Sequence, residues 1–181
     1  MVTPTLTERL PPWVVVTTAD DPWVSDEIAT LRRLGGGVVR LDGRALQDPR
    51  SLFVEFARVL GFPGYFGHNW HALVDCIADW HGHGMPSRDV AVLIDAADEL
   101  ADADFLRSFM WALCEGAWNA NLQLDADGVP HGDYRPPFTL HFVLLLDQTA
   151  PAAFAEPVAK DPYVTVAAAG ERLTVTLADP L

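Results

Sequence analysis

The sequence predicts an α/β fold, a parallel β-sheet covered by helices. Three observations carry that reading. Four apolar runs, Trp13 to Thr17, Val38 to Leu41, Val90 to Ile94 and Leu140 to Leu146, are nearly continuous in Val, Leu and Ile and lack polar alternation, as strands buried on both faces do. The stretches between them have helical periodicity. Strands alternating with helices pair in parallel, because a helix is the usual crossover that returns the chain to the same sheet edge.

Taken in order, the chain begins with the strand Trp13 to Thr17 and a short helix from Ser25 to Leu34, followed by Gly35-Gly36-Gly37 and the strand that ends at Asp42-Gly43. Asp48-Pro49 makes an N-cap and first-turn pair. Leu52, Phe53, Phe56, Val59 and Leu60 then form one apolar stripe, which Gly61 ends. After the loop Pro63-Gly64-Tyr65-Phe66-Gly67 comes a second amphipathic helix, with Trp70, Leu73, Val74, Ile77 and Trp80 on one stripe and His68, His71, Asp75 and Asp79 on the other. A longer helix spans Asp104 to Asn119, with Phe105, Phe109, Ala112, Leu113 and Trp118 facing inward. The glycines and prolines between Asp125 and Pro137 mark a loop before the last apolar strand, and Tyr163 to Ala168 and Leu173 to Leu177 flank Gly170 as a hairpin.

The chain has 181 residues, half of them hydrophobic, enough for one domain with a substantial core, and no second domain is required. Twelve Lys and Arg against 25 Asp and Glu give a formal net charge of −13. That charge repels nucleic acid and anionic membranes and makes a basic protein the natural partner. Met1 to Pro12 lacks the apolar core of a signal peptide, and Cys76 and Cys114 do not make a disulfide framework. The expected setting is cytoplasmic.

The parts resemble the barstar family, small acidic inhibitors of barnase-type ribonucleases. The resemblance rests on Val38-Val39-Arg40-Leu41-Asp42-Gly43, then a helix, then Tyr65, Phe66, Gly67, Asn69, Ala72, Leu73, Asp75, Cys76 and Trp80 in that order. It implies a barstar-like, three-layered core over residues 38–147, with residues 1–37 as an N-terminal strand-helix extension and residues 148–181 as a C-terminal hairpin extension. It also implies the function: the loop and second helix enter the nuclease cleft, with acidic side chains where RNA phosphates would lie and Asp75 in the main carboxylate role. The family's best-known member has a carboxylate where this chain has His71 and a Trp where it has Val74.

The resulting partner surface comprises Tyr65, Phe66, Gly67, His68, Asn69, His71, Val74, Asp75, Asp79 and Glu115. Of the two loop aromatics, Phe66 is expected to fold back into the core because it has no hydroxyl to satisfy, while Gly67 and Asn69 shape the surface. Glu115 is placed through the register of Leu113-Cys114-Glu115-Gly116-Ala117 with an acidic secondary contact of the family. The partner is a basic ribonuclease or related nuclease toxin, and the reading needs no cofactor, no metal and no catalysis. The alternatives are a module that binds another basic protein without inhibiting it and, less favoured, a metal-binding protein using His68, His71, His81 and His83, or an enzyme. Against an enzyme, Gly35-Gly36-Gly37 precedes its strand rather than following it, and no Ser or activated Cys stands beside His71 and Asp75.

Overall fold

A computed structural model describes residues 3–80, 89–122 and 138–178. Its elements are β1 (Val14–Thr18), α1 (Pro22–Arg33), β2 (Gly37–Asp42), α2 (Pro49–Leu60), α3 (Trp70–Ala78), β3 (Val90–Asp95), α4 (Leu106–Leu122), β4 (Leu140–Leu146), α5 (Ala155–Ala159), β5 (Val164–Ala169) and β6 (Arg172–Leu177). The glycine- and proline-rich stretch from Asp125 lies outside the described residues, as do His81 and His83.

The six strands form one sheet in the order β2-β3-β4-β1-β6-β5. The first four are parallel, whereas β6 is antiparallel to β1 and to β5. The sheet is therefore mixed rather than purely parallel. The apolar run near the N-terminus is an inner strand, paired with β4 on one side and β6 on the other. Hairpin and parallel core thus share one ladder, which leaves β1 no free edge.

Alternate residues of the inner strands feed two cores. Val14, Val16, Val92, Ile94, Phe142 and Leu144 pack under α2, α3 and α4, while Val15, Ala91, Leu93, Val143 and Leu145 pack against Trp23, Val24 and Leu31 of α1. All seven residues of β4 are buried, which explains a sequence that is apolar apart from His141. The segment before β1 lies on the α1 side. There Leu6 is fully buried, Trp23 Nε1 donates to the Pro4 carbonyl at 2.9 Å, and the Leu6 N–H donates to Glu27 at 2.7 Å. His141 of β4, also fully buried, sets its ring nitrogens 2.8 Å and 3.0 Å from the Glu8 and Pro12 carbonyls. Both partners are acceptors, so a neutral imidazole satisfies one of them at a time.

Helix boundaries follow local chemistry. Asp48 accepts from the Ser51 N–H at 2.9 Å and starts α2, and Gly61, at φ 66°, ends it in a conformation that only glycine adopts freely. Asp21 caps α1 by accepting from the Trp23 N–H. Among the described residues, no helix is long and apolar enough to cross a membrane.

Candidate functional site

The chain between α2 and α3 is fastened at both ends. Trp80 Nε1 donates to the Leu60 carbonyl at 2.6 Å, which ties the chain after α3 to the end of α2. Phe66 is buried among Phe53, Phe62 and the His68 ring at centroid distances of 6.1, 5.1 and 4.7 Å. The fold-back expected of Phe66 is therefore what the structure contains, and its side chain is unavailable to a partner. Tyr65 is the opposite case: 77 % exposed, it projects from the turn in which the Phe66 N–H donates to the Pro63 carbonyl. The unusual backbone lies on His68, at φ 49°, rather than on Gly67. Gly67 is constrained by space instead, since a β-carbon there would lie 3.0 Å from the Asn69 amide nitrogen.

Asn69 is the N-cap of α3, accepting from the Ala72 N–H at 2.9 Å and donating to the Gly67 carbonyl at 3.2 Å. It fixes where the helix starts relative to Tyr65. His68 consequently precedes the helix and does not share a helical face with His71. Leu73, Val74, Cys76 and Ile77 are buried. Trp70 is half-buried, with Phe53 at 4.8 Å and Phe105 at 6.2 Å. Val74 thus belongs to the core, as its place on the apolar stripe requires, and not to the partner surface. Asp75 and His71 are exposed, whereas Asp79 is half-buried at the helix end, where its N–H donates to the Asp75 carbonyl.

Helices α3 and α4 lie side by side and run in the same direction. Trp70 meets Phe105 and Phe109, His71 meets Trp111, and Ile77 meets Gly116. Asp75, one turn beyond His71, is therefore level with Glu115, one turn beyond Trp111. Glu115 is half-buried, and loss of solvent pushes its carboxyl upward, opposed by a hydrogen bond from Asn119. Among the described residues it makes no ion pair. Trp111 is the member of this face that sequence periodicity passes over. It falls outside the inward stripe of α4 yet is half-buried, in part against the core, its ring edge-on to His71 at 5.5 Å.

The remaining chemistry is weak. Burial raises the Cys76 thiol, as do the nearby Asp75 and Asp79 charges, and burial raises the fully buried Cys114 further, so neither is an activated nucleophile. No group of three or more His, Cys, Asp or Glu among the described residues is placed to hold a metal ion, and His81 and His83 lie outside them.

A cleft of about 1040 Å³ opens at the carboxyl ends of β1 and β4, lined by Thr17 to Pro22, Leu146 to Ala152 and the β5–β6 turn. Its walls are held by charge. Arg172 pairs two-pronged with Asp21, and Asp98 accepts from the N–H groups of Asp147, Gln148 and Thr149. Burial raises the Asp98 carboxyl, but those three donors outweigh it and the net shift is strongly downward.

A match to a known family covers the elements that carry this face and none of the residues that line the cleft. Residues 37–121, which contain β2, α2, α3, β3 and all but the last residue of α4, match the family model described as Barstar (barnase inhibitor). No curated protein matches the chain.

Proposed function

Because residues 37–121 place this chain in the barstar family, we propose that it is a protein inhibitor of a basic ribonuclease or related nuclease toxin, which it blocks by laying the α3 face around Asp75 into the active-site cleft. The observation that carries this reading is the exposed Asp75 on a capped helix that the exposed Tyr65 precedes, with Glu115 on the neighbouring α4. A nuclease cleft that holds phosphates offers Arg and Lys to such carboxylates, and charge-assisted hydrogen bonds are the strong ones. Tyr65 supplies an aromatic surface where such an enzyme stacks a base. The formal charge of −13 adds long-range attraction for a basic partner. Residues 65, 67–69, 71, 75 and 115 make the contact surface; Phe66 and Val74 support it from the core. No residue of the face performs chemistry, and no cofactor enters.

The test is inhibition. The full chain, mixed in equal amounts with a barnase-type ribonuclease, suppresses RNA cleavage competitively with substrate. Full RNA cleavage in the presence of excess chain contradicts inhibition of that enzyme class. If the protein that co-purifies from the native host is basic but lacks nuclease activity, the face serves the other reading, a non-inhibitory interaction module. His71 in place of a carboxylate is the feature that favours that second reading.

A further inference from the structure

We infer that Trp111 is an anchor of this face and that it receives an arginine side chain from the basic partner, with the guanidinium stacked on the indole and directed at the carboxylates of Glu115 and Asp75. The inference rests on reading the α3 face as a docking surface and specifies what one part of it recognises.

Arg107, Trp111 and Glu115 follow one another at intervals of four on α4 and so share its outward stripe. Trp111 is half-buried there, packed in part against the main core, and the edge-to-face contact with His71, at 5.5 Å and 75°, fixes the tilt of the indole and leaves part of it open. Tryptophan is the best aromatic acceptor for a cation. Among the described residues none is placed over Trp111; the cation over an aromatic ring there is Arg172, above Trp23.

Glu115, the next residue along the stripe, is half-buried, and loss of solvent there disfavours its charged form. It has no cationic partner among the described residues. A carboxylate partly removed from water and without a counter-charge among the described residues is stabilised most by a cation brought from outside. Arg107, at the other end of the stripe, repels a second cation and leaves the Glu115 side of the indole as the favourable one. A guanidinium fits both neighbours, because it is planar for stacking and forked for a carboxylate, whereas an ammonium is a compact, strongly hydrated point charge. Aromatic residues and arginine are also enriched in the cores of protein interfaces.

The experiment uses the full chain with nitrogen-15 in its tryptophan indoles and assigns the Trp111 signal by comparison with Trp111→Phe. Titration with N-acetyl-arginine amide shifts the Trp111 indole signal, N-acetyl-lysine amide at equal concentration shifts it less, and Glu115→Gln reduces the arginine response. An unmoved signal, or an equal response to the two amides, overturns the assignment. A second arm measures affinity for a barnase-type ribonuclease. Trp111→Ala weakens it about tenfold, and Trp111→Phe, which keeps an aromatic face, weakens it less. If Asp75→Ala weakens binding while Trp111→Ala does not, the role of Trp111 is overturned and the docking reading stands. If the native chain does not bind the ribonuclease, the docking reading fails for that enzyme, and the amide titration alone decides whether Trp111 selects arginine.

Discussion

Gly116 of α4 lies so close to Ile77 of α3 that a β-carbon at position 116 would sit 2.7 Å from Ile77 Cγ2 and 2.8 Å from its Cβ. The second atom cannot rotate away, so any side chain there must move one helix against the other. That makes the position a test of what sets the spacing of α3 and α4. Gly116→Ala gains about 1 kcal/mol of helix propensity. Overpacking of this kind costs about 1–3 kcal/mol, and a contact to a Cβ belongs at the upper end. A net loss of stability in urea unfolding is expected, and trimming Ile77 to Val in the same chain should not restore it, because valine keeps the Cβ and Cγ2 atoms that make the close contact. An Ala variant as stable as the native protein would mean that the helices separate without penalty.

Acid stability is governed in part by a contact between the two ends of the chain. Arg172, beside Asp21, holds its carboxyl down at about 2, against an ordinary value of 3.8. A lowered carboxylate stabilises the fold at pH values above its unfolded pKa, and that contribution disappears as pH falls from about 4 through about 2. The shift corresponds to roughly 2 kcal/mol for this mostly buried pair. Arg172→Leu should lose part of that stability at neutral pH, the Thr17 hydroxyl and Trp23 N–H still donating to Asp21, and show a flatter decline on acidification. Parallel acid profiles for the two proteins would remove the pair from the account.

Much of this was readable in the sequence, for identifiable reasons. β4 covers the residues of its apolar run, Leu140–Leu146, because a strand buried on both faces leaves no alternation to blur its ends. The cap at Asp48 and the stop at Gly61 are local chemistry and appear where the residue types put them. Phe66 folds inward, as an aromatic without a hydroxyl should. What was not readable is non-local. The pairing of β1 with β6, and the Asp21–Arg172 contact across 151 positions, depend on how the chain returns to its own beginning. The boundary that removes His68 from α3 is set by the Asn69 cap and a left-handed backbone, which periodicity does not register. Trp111 is not legible because a wheel for α4 shows which side chains face the sheet but not which flanking aromatic the neighbouring α3 only partly covers.

His71→Asp restores an outward carboxylate one turn before Asp75. Repulsion between the two acids costs a few tenths of a kcal/mol on an exposed helix, and losing the His71–Trp111 ring contact costs about 0.5–1.5 kcal/mol. Against that, a new hydrogen bond to a charged group contributes about 1.5–3 kcal/mol. Severalfold tighter binding to a barnase-type ribonuclease is therefore expected in calorimetry. Unchanged or weaker binding would show that this face does not present its carboxylates in the expected register.

The most direct measurement compares two single-charge deletions on opposite faces of the sheet. Asp75→Ala and Asp26→Ala each remove one exposed carboxylate and leave the same net charge; Asp75 lies on α3, whereas Asp26 lies on α1 across the sheet. Inhibition of a barnase-type ribonuclease is titrated with the native chain and both variants at one salt concentration. The account predicts that Asp75→Ala inhibits at least about tenfold more weakly than the native chain, while Asp26→Ala matches it. Equal losses in the two variants would reduce the interaction to overall charge and contradict the docking of α3 in the nuclease cleft.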